Sequence, residues 1–182
     1  MRLLLICGSV RAGSSNEAVL RTAGGLCDDD VNVEHYDGLA GLPHFNPDDD
    51  RDPLPPEVHR LRSAIGEADA LLFCTPEYAG DLPGSFKNLL DWTVGGIETN
   101  GKPAGWINSS AAPGGAAGAH AALRTVLTYT GCEVVDAACV HVPIDRHAVE
   151  EGLVADLELR LQIAAGVRAL TDRARERSAG NT

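Results

Sequence analysis

The sequence has no apolar run near the ~18 residues that a membrane-spanning helix needs, and its cysteines contain no CxxC pair. The N-terminal apolar run is too short for a signal peptide and is followed too soon by polar residues. The five cysteines are odd in number, which is typical of reduced core residues rather than of disulfide staples. We therefore expect a cytoplasmic protein that has no membrane-embedded part.

Basic side chains are scarce: 15 lysines and arginines stand against 26 aspartates and glutamates, which gives a net charge of −11. Nucleic-acid binding needs a basic surface, so we expect no nucleic-acid partner. Any phosphate that binds must be held by a local cluster of donors. The length of 182 residues predicts one domain over residues 1–178 and a disordered tail over residues 179–182.

Signatures of hydrolytic and metal-dependent enzymes are also missing. The six histidines show no HExxH or other metal-ligand spacing, and no GxSxG motif is present. Ser85 begins a predicted helix with no base to activate it, and His120 is expected on a helix surface or at a subunit interface. We predict no metal site.

The clearest local pattern lies at the N-terminus, where an apolar run over residues 3–7 ends at a loop over residues 8–16 and a helix follows. A buried strand, a loop rich in Gly and Ser, and the free N–H groups of a helix form an anion-binding turn. The side chains expected to hold a phosphate there are Ser9, Arg11, Ser14 and Asn16, with Arg11 as the cation. The alternative is that Ser14 or Ser15 only caps the helix and that Arg11 is a solvent-exposed residue.

Gly8 and Gly13 have the GxxxxG spacing of a P-loop, but Ser14 stands where that loop has its lysine. The loop therefore lacks the group that reaches the β- and γ-phosphates of a nucleotide. No GxGxxG motif follows any predicted strand. The turn suits a single terminal phosphate better than a triphosphate or a dinucleotide.

Strands and helices alternate along the chain. The predicted strands are 3–7, 31–36, 70–74, 104–107 and 133–142, the last with a break near Asp136 as an alternative. The predicted helices are 17–27, 56–68, 85–93, 119–130 and 149–177, with Gly131 as a left-handed cap after the fourth, and residues 37–56 are expected to form a long solvated loop. This alternation predicts an α/β fold: a five-stranded parallel sheet, order 2-1-3-4-5, with helices on both faces.

Loops over residues 8–16, 75–84 and 108–118 follow the first, third and fourth predicted strands. The carboxyl ends of parallel strands lie at one edge of the sheet, where ligands bind. We therefore expect these three loops to converge on one ligand site.

Three segments, GSVRAGSSN, TPEYAGDLPGSFKNLLDW and SSAAPGGAAGAHAALR, resemble in order and spacing the NADPH-dependent FMN reductases, which include quinone, azo-dye and chromate reductases. The resemblance covers about residues 2–145. It implies a flavodoxin-like three-layer sandwich, FMN with its phosphate in the first loop, and a dimer or tetramer with the flavin near the subunit contact. The predicted cofactor site comprises Ser9, Arg11, Ser14, Ser15, Asn16, Pro76, Glu77, Tyr78, Ala79, Gly80, Ser110 and Gly114.

The second loop also suits a flavin ring on chemical grounds. Tyr78 offers a flat apolar face, and the backbone N–H groups of residues 77–80 are expected to bond the polar edge of the ring. The chain departs from the family at Ala79 and Gly80, where Asn and a second polar residue are common.

Each of these assignments has a structural alternative. For Tyr78, the alternative to facing a flavin is to be a core residue, as its type allows. Glu77 has the alternative of capping the following helix or of pairing with Lys87 or Arg11. For the glycines of the third loop, the alternative is that they only allow the turn to form.

Four apolar residues at helical spacing follow the second loop: Phe86, Leu89, Leu90 and Trp92. Such spacing is typical of core packing, and a dimer interface is the alternative hypothesis.

These observations predict an FMN-dependent NAD(P)H oxidoreductase that passes hydride from NADPH or NADH to FMN and then electrons to a small-molecule acceptor, such as free flavin or a quinone. No catalytic side chain is expected, because the flavin carries the hydride chemistry. Two alternatives stay open: a flavodoxin-type electron carrier that does not itself oxidise NADPH, and a P-loop-like nucleotide phosphotransferase.

Overall fold

Five parallel strands form one sheet with order β2-β1-β3-β4-β5 in the computed structural model, which describes residues 1–180. The strands are β1 (Arg2–Cys7), β2 (Asn32–Tyr36), β3 (Ala70–Cys74), β4 (Pro103–Asn108) and β5 (Glu133–His141). The helices are α1 (Ser15–Gly24), α2 (Pro56–Glu67), α3 (Gly84–Asp91), α4 (Ala117–Tyr129) and α5 (Leu157–Gly180). The predicted fold class and strand order are confirmed.

Helices cover both faces of this sheet. Side chains alternate between the two faces along each strand, so each strand contributes residues to the core on both sides. Helices α2, α3 and α4 pack against strand residues that include Leu4, Ile6, Leu71, Phe73 and Trp106. Helices α1 and α5 pack on the other face, against residues that include Leu3, Leu5, Ala70, Leu72 and Ile107. Burial on both faces explains why β1 and β3 appear in the sequence as continuous apolar runs.

Most elements begin and end near their predicted residues. Helix α1 is an exception, since it ends at Gly24 rather than at Cys27. The alternative of a break near Asp136 is wrong, because β5 is continuous over Glu133–His141. The strand instead carries a register shift there: Ala104 pairs with Val134 but Trp106 pairs with Cys139, so the residues between Val134 and Cys139 form a bulge. Gly131 follows α4 with φ of 81°, as predicted.

A β-hairpin precedes α5 where the sequence predicted the start of the last helix. Its strands are β6 (Val149–Glu150) and β7 (Leu153–Val154). Glu151 and Gly152 have φ of 49° and 77°, the two positive angles of a tight hairpin turn. The hydroxyl of Thr22 on α1 accepts the N–H of Val154 at 2.9 Å, which fixes the hairpin beside α1.

Helix α5 is shorter at its start and longer at its end than predicted. The carboxylate of Asp156 accepts the N–H of Leu159 at 3.0 Å and caps the first turn. Ala179 and Gly180 belong to the helix rather than to a disordered tail. Residues 181–182 lie outside the described residues.

The segment over residues 37–56 is anchored rather than solvated throughout. The guanidinium of Arg62 on α2 contacts the carboxylate of Asp50 at 2.6 Å, and both side chains are about nine-tenths buried. Asn88 on α3 accepts the N–H of Phe45 at 2.7 Å. Both anchors come from helices outside the segment, so its own proline- and aspartate-rich composition did not reveal them.

Candidate functional site

The loop that follows β1 ends at a capped helix terminus. The hydroxyl of Ser14 accepts the N–H of Glu17 at 3.1 Å, and the carboxylate of Glu17 accepts the N–H of Gly13 at 3.0 Å. Ser14 therefore caps α1, and its place in the cofactor site stays a prediction. The N–H groups of Ser15 and Asn16 donate to no acceptor within residues 1–180. They are free to bind an anion at the positive end of α1.

A cavity of about 430 Å³, called the first cavity, opens at this terminus. It is lined by Ser9, Arg11, Gly13, Ser14, Ser15, Asn16, Pro76, Tyr78 and Val149. Every residue predicted to hold a phosphate is among them. Arg11 is exposed and forms no ion pair in the described part of the chain, so its charge is available to a ligand. Ser9 and Arg11 also border a separate cavity of about 280 Å³ near the end of β2.

A second cavity, of about 360 Å³, adjoins the first and shares Ser15, Asn16 and Pro76 with it. Its other lining residues are Thr75, Glu77, Ser109, Ser110, Ala111, Ala112, Pro113, Ala116 and Ile144. They belong to the loops after β3 and β4 and to the segment after β5. The predicted convergence of three loops at one edge of the sheet is confirmed.

Asn16 links the walls of the two cavities. Its side-chain oxygen accepts the hydroxyl of Ser109 at 3.1 Å and the thiol of Cys74 at 3.2 Å. Burial raises the pKa of the Cys74 thiol, so the thiol stays neutral and can donate. The oxygen of Asn16 is occupied, so the side-chain NH₂ group and the backbone N–H are the donors that Asn16 has left for the predicted phosphate contact. The residue ties the start of α1 to the ends of β3 and β4.

Glu77 has a structural contact at the second cavity. Its carboxylate accepts the N–H of Ala119 at 3.0 Å in the first turn of α4. A capping role is therefore right, but for α4 rather than for the following helix. Gly118 lies against the same loop, since a Cβ there would be 2.1 Å from the carbonyl oxygen of Gly80. The loop after β3 thus docks on the N-terminus of α4.

A tight turn after β3 uses one of the backbone N–H groups that were predicted to donate to the flavin ring. Tyr78 and Asp81 exchange two backbone hydrogen bonds, of 3.0 and 3.1 Å. Ala79 and Gly80 between them have φ of 52° and 80°, as in a type I′ turn. The Tyr78 N–H is used inside this turn, so the expectation that all N–H groups of residues 77–80 face a ligand is wrong for that group. Ala79 and Gly80 form the tip of the turn and line neither cavity.

The side chain of Tyr78 is 54% exposed, so the core-packing alternative is wrong. Tyr78 lines the first cavity rather than the second, whereas Pro76 lines both. The tyrosine therefore stands beside the predicted phosphate group, and proline reaches the predicted ring position.

The loop after β4 contributes more to the second cavity than the sequence predicted. Ser110 lines that cavity as expected, but Gly114 does not and adopts φ of 89° within its turn. The lining residues that the sequence did not single out are Thr75, Ser109, Ala111, Ala112, Pro113, Ala116 and Ile144. All but Ile144 lie in loops that the sequence did assign to the site. Ile144 follows β5, and no local pattern places that segment at the site.

The prediction that His120 lies on a helix surface or at an interface is wrong. The residue is 7% exposed, and its Nδ1 donates to the carbonyl oxygen of Ala116 at 2.8 Å. Its Nε2 is buried without a hydrogen-bond partner in the described residues. Burial lowers the pKa of His120, and His141 lowers it further. The Ala116 carbonyl and the Glu77 carboxylate oppose that shift.

The apolar residues of the third helical segment lie in the core. Phe86, Leu89, Leu90 and Trp92 are at most 2% exposed, so the dimer-interface hypothesis is wrong for them. The large exposed apolar side chains in this part of the molecule are instead Val94, Ile97 and Tyr129, which border a groove of about 240 Å³.

Two features are absent from residues 1–180. No group of three or more His, Cys, Asp and Glu side chains is placed to hold a metal ion. No helix in this range combines the length and the apolar character needed to cross a membrane.

Comparisons with known proteins show similarity to flavin-dependent reductases in both sequence and fold. The sequence profile of a family described as NADPH-dependent FMN reductase matches residues 1–147. An NAD(P)H-dependent FMN reductase of Pseudomonas aeruginosa is 35% identical over 173 residues, which is 93% of each chain. A 2-hydroxy-1,4-benzoquinone reductase of a Burkholderia species is 29% identical over 82% of each chain.

Among solved structures, a flavoenzyme NAD(P)H:(acceptor) oxidoreductase from Paracoccus denitrificans superimposes with a TM-score of 0.85. It is 29% identical, and the alignment covers 96% of this chain and 97% of that one. The similarity therefore extends through α5, beyond the segment that the family profile matches.

Proposed function

Because the chain belongs to the NADPH-dependent FMN reductase family, we propose that it passes hydride from NAD(P)H to FMN and electrons onward to a small-molecule acceptor of the quinone or flavin type. The protein is an oxidoreductase with FMN and NAD(P)H as its cofactors. Bound FMN supplies hydride acceptance from the nicotinamide and delivery of electrons to the second substrate. The protein residues supply binding, orientation and electrostatics.

The first cavity fits the phosphate end of FMN. The Arg11 side chain provides an unpaired cation, and the N–H groups of Ser15 and Asn16 provide two donors at a helix N-terminus. The hydroxyl oxygens of Ser9 and Ser14 each accept a backbone N–H, and a hydroxyl that accepts can still donate its own proton to a ligand. This donor set matches an anion, and no carboxylate within residues 1–180 lines the cavity.

The second cavity fits the flavin ring. Its walls are mostly small or apolar side chains. The carboxylate of Glu77, the one that lines it among residues 1–180, already accepts the N–H of Ala119. Pro76 and Pro113 provide rigid surfaces against which a flat ring can lie. These residues would orient the ring and exclude water from it, and no side chain there is required as an acid or a base.

One observation carries the proposal. Two adjoining cavities share Ser15, Asn16 and Pro76, with anion donors at one end and a wall of small residues at the other. A molecule with a terminal phosphate and a flat, mostly uncharged ring system matches that arrangement. The proposal includes the contacts of the predicted cofactor-binding residues with FMN.

We also propose a cytoplasmic homodimer or homotetramer. All five cysteines are free thiols, which agrees with a reducing compartment. Multi-angle light scattering of the purified protein measures the oligomeric state, and a monomeric mass at micromolar concentration would contradict an oligomer.

A titration of the flavin-free protein tests the binding part of the proposal. FMN should bind with quenching of its fluorescence, and riboflavin, which lacks the phosphate, should bind at least about tenfold more weakly because it cannot reach the first-cavity donors. Equal affinities for FMN and riboflavin would contradict the phosphate assignment. A protein that binds neither flavin but hydrolyses ATP would favour the phosphotransferase instead.

A further inference from the structure

We infer that Asn108 and His141 are positioning residues that hold the ring-binding loop, residues 109–115, in the shape that lines the second cavity. Neither side chain is among the residues that line that cavity within the described part of the chain. The inference rests on the proposed function, because it concerns the same flavin site.

Both backbone polar groups of Ser110, its N–H and its carbonyl oxygen, form hydrogen bonds to side chains. Its N–H donates to the side-chain oxygen of Asn108 at 3.0 Å, and its carbonyl oxygen accepts Nε2–H of His141 at 2.8 Å. Asn108 and His141 are register partners at the ends of β4 and β5. The ends of two neighbouring strands thereby hold the second residue of the loop, Ser110, which lines the second cavity.

The far end of the loop is held by the same pair. The amide nitrogen of Asn108 donates to the carbonyl oxygen of Gly115, so one side chain closes the loop across its base. The imidazole of His141 also lies over Gly115, since a Cβ there would be 3.1 Å from its Cε1 atom. Asn108 is buried, whereas His141 is exposed.

Ser110 lines the second cavity, so its orientation affects the surface that the cavity presents to a ligand. Ser110 is the only loop residue held through both its N–H and its carbonyl group by these two side chains, among the contacts of residues 1–180. If His141 loses its donor, the Ser110 carbonyl oxygen loses the side-chain hydrogen bond that fixes it. The loop then loses preorganisation, and a ring that binds there must order it at a cost in affinity.

Two variants of His141 separate positioning from mere stability. His141→Leu removes the donor, and His141→Gln keeps an N–H donor at a similar reach. We expect the FMN dissociation constant of His141→Leu to rise about three- to tenfold, as for the loss of one hydrogen bond, and that of His141→Gln to stay within about twofold of the parent. Asp136→Ala is the matched control, because Asp136 lies on β5 like His141 and the change removes only an exposed ion pair with Arg124 of α4.

The measurements are flavin-fluorescence titration of each folded apoprotein, with folding checked by circular dichroism, and the visible circular dichroism of the bound flavin. The inference is supported if His141→Leu alone weakens FMN binding and alters the flavin signal. It is overturned if His141→Leu binds FMN like the parent, if His141→Gln is as weak as His141→Leu, or if Asp136→Ala weakens binding equally. A parent protein that binds no FMN would overturn the proposed function itself.

Discussion

The hydroxyl of Ser109 donates a hydrogen bond of 3.1 Å to the side-chain oxygen of Asn16, across 93 positions of the sequence. The same oxygen accepts the thiol of Cys74 at 3.2 Å. This one acceptor therefore connects the first turn of α1 to the ends of β3 and β4. The two cavities share a wall because these three elements are joined there.

Removal of this acceptor should destabilise the protein more than removal of either donor. We expect Ser109→Ala to lower the free energy of unfolding by about 1 kcal/mol, and Asn16→Ala to lower it by about 1–3 kcal/mol, because a buried hydroxyl is then left without an acceptor. Urea denaturation measures both values. The double variant should lose less than the sum, since the two residues share one contact. Thr128→Ala, an exposed control on α4, should change the free energy by less than about 0.5 kcal/mol.

The charge of Arg11 should matter for FMN binding but not for folding. Arg11→Ala removes a charge-assisted contact of about 1.5–3 kcal/mol, so FMN affinity should fall about ten- to a hundredfold. Arg168→Ala changes an exposed arginine of α5 and should leave the affinity as it is. Flavin-fluorescence titration of the three proteins decides the matter, and an Arg11→Ala protein with the parent's affinity would exclude the cationic clamp.

The turn of residues 78–81 should be more stable with glycine at position 79. Ala79 has φ of 52°, a left-handed conformation that costs an L-residue with a side chain about 1–2 kcal/mol. Ala79→Gly should therefore raise the free energy of unfolding by about 1 kcal/mol. Ala121→Gly, at an exposed position within α4, should lower it by about the same amount. A destabilised Ala79→Gly protein would show that the loop does not hold this angle.

The buried His120 should make stability depend on pH. Burial lowers its pKa below the ordinary value of 6.5, so the unfolded chain takes up a proton before the native protein does. The free energy of unfolding should then fall as the pH decreases from about 6.5 toward the lower native pKa. His120→Gln should flatten this slope.

The control for that measurement is His44→Gln, at an exposed position, which should follow the parent. His35 also has a lowered pKa, through burial and the nearby Arg21, so His120→Gln should keep part of the slope. Denaturation curves between pH 5 and pH 8 test these expectations, and identical slopes for parent and His120→Gln would contradict a native state with neutral His120.

The sheet and the converging loops were predictable because their causes are local in the sequence. A strand buried on both faces must be apolar at every position, so residues 3–7 and 70–74 are recognisable as strands without knowledge of their neighbours. Parallel strands separated by helices then place the loops that follow them at one edge. The first cavity follows from these two rules together with the capping chemistry of Ser14.

The missed features depend on residues that meet only in the folded chain. Nothing near Asn108 or His141 in the sequence indicates that both bind Ser110, and Ile144 enters the second cavity because of where the chain passes after β5. The hairpin before α5 did have a local signal, a Glu-Gly pair between valine- and leucine-containing dipeptides, which the helical interpretation overrode.

The Ala79–Gly80 turn was missed because, unlike the hairpin before α5, it has no local sequence signal at its first central residue. Type I′ turns favour Asn-Gly and Gly-Gly, and alanine is not typical of a positive φ. The local sequence therefore gave no turn signal at position 79, although the backbone there has φ of 52°.

Anaerobic reduction of the FMN-loaded protein by NADPH tests the central claim most directly. The visible absorption of the oxidised flavin should bleach on addition of stoichiometric NADPH or NADH and return when a benzoquinone is added, because the flavin receives hydride from the nicotinamide and delivers electrons to the acceptor. An FMN-loaded protein whose absorption does not change with either nucleotide, but which is bleached by dithionite, would contradict the reductase assignment and identify an electron carrier instead.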